Sequence, residues 1–174
     1  MRQLYDQLKD TYRLTEYGER HPGQAAAQVP AERLTSLLTQ LRDAHGFSHL
    51  VLMTCVDWLE QGQFQVTYIL HNHTRRQDFI LKVRVDRAHP VLPSIHTLWK
   101  QARVYQRELH EMFGLEFPGS PGIDEPMILE SWQGPPPMRR DFDTRKFSEE
   151  RYSHRPRSHS EPEARMKEQL YPED

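Results

Sequence analysis

The chain is poor in the residues that build metal centres, covalent frameworks and membrane spans. Across 174 residues there is one cysteine, Cys55. A single thiol forms no internal disulfide, and alone it holds neither a zinc ion nor an iron–sulfur cluster; it fits a reducing, cytosolic setting. No stretch approaches roughly 18 uninterrupted apolar residues, so no membrane-spanning helix is expected. The opening Met1-Arg-Gln-Leu-Tyr-Asp-Gln lacks the apolar run of a secretory signal. A soluble chain is expected, one that meets a membrane only through a partner. Charge of one sign is also missing. Lys and Arg (23) nearly balance Asp and Glu (25), a formal net charge of −2, which argues against a general nucleic-acid binder with its strongly basic field. Apolar residues make up 36% of the chain, so a single core must draw on concentrated segments.

Those segments have distinct periods. Residues 1–29 read as a polar N-terminal segment. Leu4, Leu8 and Tyr12 have helical spacing there, and His21-Pro-Gly-Gln followed by three alanines reads as a loop. Pro30 opens a helix with Leu34, Leu37, Leu38 and Leu41 on one face and Gly46 as its stop. The run from Leu50 to Trp58 fits a strand buried on both faces. Phe64, Val66, Tyr68 and Leu70 alternate in a second strand, and Phe79, Leu81, Val83 and Val85 in a third, with short links that favour an antiparallel meander. Ser94 is expected to cap a second helix stepping through Ile95, Leu98, Ala102, Tyr105, Leu109 and Met112 to Gly114, with Arg103, Gln106, Arg107 and His110 offered outward. The fold class is therefore α+β: a small, mainly antiparallel sheet packed by two or three helices, with a long irregular C-terminal extension. The core domain spans 30–117. Residues 118–142, rich in proline and glycine yet carrying Met127-Ile-Leu and Trp132, read as a partner-wrapping segment. Residues 143–174 form a charged tail with too little apolar area to offset its own ordering.

Several patterns invite chemistry. His71-Asn-His73 at a strand end, with Asp78 nearby, presents two imidazoles and one carboxylate, short of a full metal shell. A stand-alone metal-dependent hydrolase would use these three. His110-Glu111 fails the zinc-protease helix pattern, because Gly114 stands where the second histidine must fall. Cys55 has no activating neighbour and reads as a buried structural thiol. Glu108 and Glu111 share a helix flank with Arg107. Their plain role is an ion-pair network with Arg103, Arg107, Arg139 or Arg140, since arginine forks suit carboxylates at interfaces.

Four blocks in order then point to a family: Thr54-Cys-Val-Asp57-Trp58; Val91-Leu-Pro-Ser94 to Trp99; Arg107-Glu108-Leu-His-Glu111-Met112-Phe113-Gly114; and Pro137-Met138-Arg139-Arg140-Asp141-Phe142. Together these residues, within about 48–142, resemble the 30-kDa subunit of respiratory complex I, known in bacteria as the C subunit of NADH–quinone oxidoreductase. Two places depart from the pattern. Ser120 stands where the family commonly has histidine, and Ile123-Asp-Glu-Pro126 replaces a usual basic pair.

The resemblance implies a non-catalytic subunit in the peripheral arm of a proton-translocating complex. It would contact the large quinone-site subunit and the iron–sulfur subunits. No catalytic, cofactor-binding or metal residue is expected in the chain itself, while the complex uses NADH, FMN, iron–sulfur clusters and quinone. The expected interface residues are Arg107, Glu108, Glu111, Arg139, Arg140, Asp141 and Phe142, and the expected location is peripheral, on the cytoplasmic side of the cell membrane. The equivalent subunit of a membrane-bound hydrogenase or another quinone- or ferredoxin-linked complex shares the same motifs. A free-standing adaptor is a third possibility.

Overall fold

Alternation governs the centre of the molecule. The structure is a computed structural model that describes residues 1–151. Strands β3 (His49–Trp58), β4 (Gln63–Asn72) and β5 (Gln77–Asp86) form the expected antiparallel meander. Phe64, Val66, Tyr68 and Leu70 of β4 lie inward beside Phe79, Leu81, Val83 and Val85 of β5, and all eight are buried. Helix α2 (Ala31–Asp43) turns Leu34, Leu37, Leu38 and Leu41 into the same core. Burying each leucine is worth about 1.5–3 kcal/mol, so this one face supplies much of the helix's stability.

The N-terminal segment departs from its reading in part. The helical spacing of Leu4, Leu8 and Tyr12 is that of helix α1 (Arg2–Tyr12), but strands β1 (Thr15–His21) and β2 (Gln24–Gln28) stand where a loop was expected. The three alanines are a strand, and Pro22-Gly23 is the turn before it. Strand β2 runs parallel to β5, with Ala25 opposite Phe79 and Ala27 opposite Leu81, giving a five-stranded sheet in the order β1-β2-β5-β4-β3. Alanine has little strand propensity of its own, and tertiary pairing overrides it here.

Strand β3 differs too. It lies at the sheet's edge and is buried on one face only. A bulge between Leu50 and Leu52 resets the alternation, after which Met53, Cys55 and Asp57 point inward while Val56 and Trp58 remain exposed. The edge is partly closed by side chains. Trp99 Nε1 donates to Ser48 O (2.8 Å), Tyr105 OH donates to Val51 O (2.8 Å), and Gln101 donates to Leu50 O.

The second long helix, α3 (Ala102–Phe113), starts later than expected. Residues 95–101 form turns instead. Ser94 does not cap the helix: its hydroxyl donates to Gln106 Oε1 (2.8 Å) and bonds His96. Gln106, expected outward, is fully buried, and its Oε1 also accepts from Ser120 Oγ at 2.9 Å. Ser120 thus ties the extension to the core. Beyond Phe142 the chain forms a second unit, which begins with helix α4 (Thr144–Arg151); the remainder of the charged tail lies outside the described residues.

Candidate functional site

The charged residues of α3 and of 137–142 form two separate sets of contacts within this chain; the expected pairing of Glu108 or Glu111 with Arg139 or Arg140 is not made, because those arginines reach Phe113 O, Asp57 and Glu60 instead. Glu111 makes the central contact. Its carboxylate accepts the backbone N–H groups of Met127 (3.0 Å), Ile128 (3.0 Å) and Leu129 (2.9 Å). Burial pushes its pKa up, yet these three amides and the Arg107 guanidinium together hold the carboxyl below the usual glutamate range. Arg107, one turn earlier, donates from Nη2 to Pro126 O (3.1 Å), and its Nη1 lies 3.6 Å from Glu125. Two side chains of one helix therefore fasten four consecutive residues of an otherwise irregular segment.

A second set of fasteners holds 136–142. Arg139 Nε donates to Phe113 O (2.7 Å), with its guanidinium over the Phe64 ring, and Met138 N donates to Met112 O (3.0 Å). Gly114 makes this approach possible. Its φ of +74° ends α3, and a Cβ there would meet Arg139 Nη2 at 2.7 Å and Pro136 Cγ at 3.1 Å. Arg140 donates its backbone N–H to Asp57 Oδ2 (2.9 Å) and its Nη1 to Glu60 Oε2 (2.7 Å). Asp57, almost fully buried, also takes both Nε (2.9 Å) and Nη2 (3.1 Å) of Arg87, and the same Nη2 reaches Asp141. The Arg87 pKa is driven up, first by its hydrogen bond with Asp57 and then by that with Asp141. In turn, that bond to Arg87 holds the Asp141 carboxyl low. Phe142 packs edge-on against Trp132 at 5.9 Å.

Of the seven residues singled out in the sequence, six are thus engaged within the chain. Glu108 is the exception. Half-buried on α3, its side chain makes no hydrogen bond or ion pair with a described residue. Sequence reasoning missed Arg87 and Glu60, and gave Asp57 no role. The signal was available for Asp57: a carboxylate at an inward strand position requires a cation, and Arg87 lies at the end of β5, two strands across.

The alternative constellation also forms a cluster. His71 Nδ1 sits 2.7 Å from Asp78 Oδ1, His73 packs on His71 at 4.7 Å, and His49 joins at 5.5 Å from His73. Among the described residues no group of three or more such side chains is arranged to hold a metal ion. Cys55 is buried, which pushes its thiol up to about 12, with the Asp57 carboxylate adding to the effect. A cavity of about 230 Å³ opens between α3 and the extension, lined by His110, Glu111, Asp124, Pro126 and Trp132 among others. That is below the roughly 300–1,000 Å³ of small-molecule sites. No described helix is long and apolar enough to cross a membrane.

The fold and site define a one-sheet α+β domain whose charged residues brace its own irregular extension. The family model for the respiratory-chain NADH dehydrogenase 30 Kd subunit matches residues 27–148, and the chain belongs to that family. It is 35% identical over 117 residues to the NADH-quinone oxidoreductase C subunit of Moorella thermoacetica, covering 67% of this chain and 78% of that one. It is 32% identical over 117 residues to the NADH-quinone oxidoreductase C/D subunit of Phocaeicola vulgatus, of which it spans 22%. Among solved structures it resembles a chain of the membrane-bound sulfane sulfur reductase, an archaeal respiratory membrane complex. The TM-score is 0.76 at 25% identity, over 90% of this chain and 93% of that one. It also resembles the trypsin-resistant fragment of Nqo5, with a TM-score of 0.59 at 25% identity, over 69% of this chain and 96% of that one.

Proposed function

We propose that the chain is a non-catalytic, peripheral-arm subunit of a proton-translocating NADH–quinone oxidoreductase. It scaffolds the large quinone-site subunit and the iron–sulfur subunits, and it holds none of the complex's NADH, FMN, iron–sulfur clusters or quinone. Its place is on the cytoplasmic side of the cell membrane, held there by the other subunits. The observation that carries this reading is the family match over 27–148, which runs from β2 through the braced extension.

Two further observations support it. The C/D relative joins a domain like this one to a much longer polypeptide, as fits a domain that works beside neighbours. The edge strand also leaves Val51, Leu52, Val56 and Trp58 exposed, apolar surface of the kind that neighbouring subunits cover. In this reading Arg107, Glu111, Arg139, Arg140, Asp141 and Phe142 serve the interface by shaping residues 118–142. Glu108 is the carboxylate free to meet a neighbour's cation.

The test is affinity purification of the tagged full-length chain from gently solubilised membranes, with the recovered subunits identified by mass spectrometry. Recovery of an NADH-oxidising flavin module together with quinone-site and iron–sulfur subunits is expected. Recovery of no redox subunit overturns the reading. The likeness to the sulfane sulfur reductase chain favours a second reading, the same role in a related respiratory membrane complex. Recovery of a nickel–iron or sulfur-reducing partner selects that one.

A further inference from the structure

The braced segment presents an apolar tip. Glu111 binds the backbone of residues 127–129, so their side chains are left to point elsewhere. Ile128 is 61% exposed and Met127 is 36% exposed. The loop that carries them is held on both sides. Arg107 holds Pro126 O on one side. On the other, Trp132 N closes a turn onto Leu129 O at 3.1 Å, and Trp132 Nε1 donates to Pro135 O at 3.0 Å. The tip is presented in a fixed conformation, which lowers the ordering cost of docking.

Its surroundings are mainly acidic. Asp124 (91% exposed), Glu125 (70% exposed) and the exposed Glu130 lie within three residues of the tip along the chain. The nearby cations Arg107 and His110 face these acids from the helix side, at 3.6 Å from Glu125 and Asp124 respectively. We propose that Met127 and Ile128 form a docking knob for a folded neighbouring subunit that offers an apolar socket rimmed with arginine or lysine. An anionic lipid surface is disfavoured by these exposed acids. Arg107 and Glu111 then act as positioning residues: they do not cross the interface but hold the knob that does. The proposal rests on the reading of the chain as part of a respiratory complex, and it deepens that reading by naming the contact.

The test uses the full-length tagged chain expressed in its own cells, as wild type, as Ile128→Arg and as the double charge reversal Asp124→Lys/Glu130→Lys. Capture is scored only for subunits identified as parts of a respiratory oxidoreductase. Ile128→Arg is expected to lower that capture at least about tenfold, the scale of a hot-spot contact, with no change in the melting temperature of the purified chain. The charge reversal is expected to weaken capture several-fold at low salt, with the loss shrinking as salt rises. Wild-type recovery by Ile128→Arg overturns the knob while leaving the proposed function standing. Undiminished capture by the charge reversal overturns the basic rim. Failure of the wild type itself to recover redox subunits overturns both. Sedimentation of the chain with vesicles of anionic lipid, lost in Ile128→Arg, would assign the tip to a membrane and contradict the proposal.

Discussion

Asp57 and Arg87 meet across one end of the sheet in a paired contact, Nε to Oδ1 at 2.9 Å and Nη2 to Oδ2 at 3.1 Å, with the carboxylate side chain 1% and the guanidinium 15% exposed. The same carboxylate receives the backbone N–H of Arg140. A buried aspartate between two strand ends thus serves as the anchor for the chain's irregular extension.

Removing that anchor leaves Arg87 buried beside Asp141 alone. Asp57→Ala is expected to cost about 3–5 kcal/mol, the scale for breaking a buried pair from one side. Denaturant unfolding of the full chain measures it. Arg87→Met combined with Asp57→Ala is expected to cost less than the two single losses added, because the double variant strands neither charge.

Gly114 sits where α3 must stop and Arg139 must pass. Gly114→Ala places a Cβ at φ +74° and 2.7 Å from Arg139 Nη2. The expected loss is about 1–2 kcal/mol from the left-handed backbone alone, read from the unfolding midpoint. In an Arg139→Ala background the loss is expected to be smaller, since the contact is then absent.

Acid is expected to loosen the extension before it unfolds the core. The Glu111 carboxyl titrates below its unfolded value, so its contribution is fully present above about pH 4.3, the ordinary glutamate value. It is lost as the pH falls through the lower folded value. Trp132 fluorescence, compared with far-ultraviolet circular dichroism over that range, is the measurement. Coincident transitions would argue against a separate clamp.

Cys55 is expected to be inert. With its thiol pushed up to about 12 by burial, modification by a thiol reagent under mildly alkaline conditions proceeds only as the protein opens. Labelling is therefore expected to be slow in buffer and complete within the mixing time in denaturant. Rapid native labelling would contradict the burial.

Local pattern made the meander and α2 legible. Phe64-x-Val-x-Tyr-x-Leu states its own period, and Leu34, Leu37, Leu38 and Leu41 state theirs. The N-terminal strands were not legible, because Ala25, Ala26 and Ala27 lack strand propensity and gain their pairing from β5, far along the chain. The edge position of β3 was hidden for a related reason. An apolar run looks doubly buried even where one face is left open, as Val51, Leu52, Val56 and Trp58 are here. At the site, spacing brought Arg107 and Glu111 together, but it did not show that their partner is the loop that follows the helix. The departure at Ser120 became intelligible only with Gln106 buried beside it.

The claim that the signature charges brace the chain's own extension is tested most directly by hydrogen exchange at the amides of Met127, Ile128 and Leu129 in the chain free of partners. Slowed exchange at all three, restored to the unprotected rate by Glu111→Ala while the β4 and β5 amides keep their protection, is the predicted result. Amides that exchange freely in the isolated wild type and slow only on assembly would contradict it.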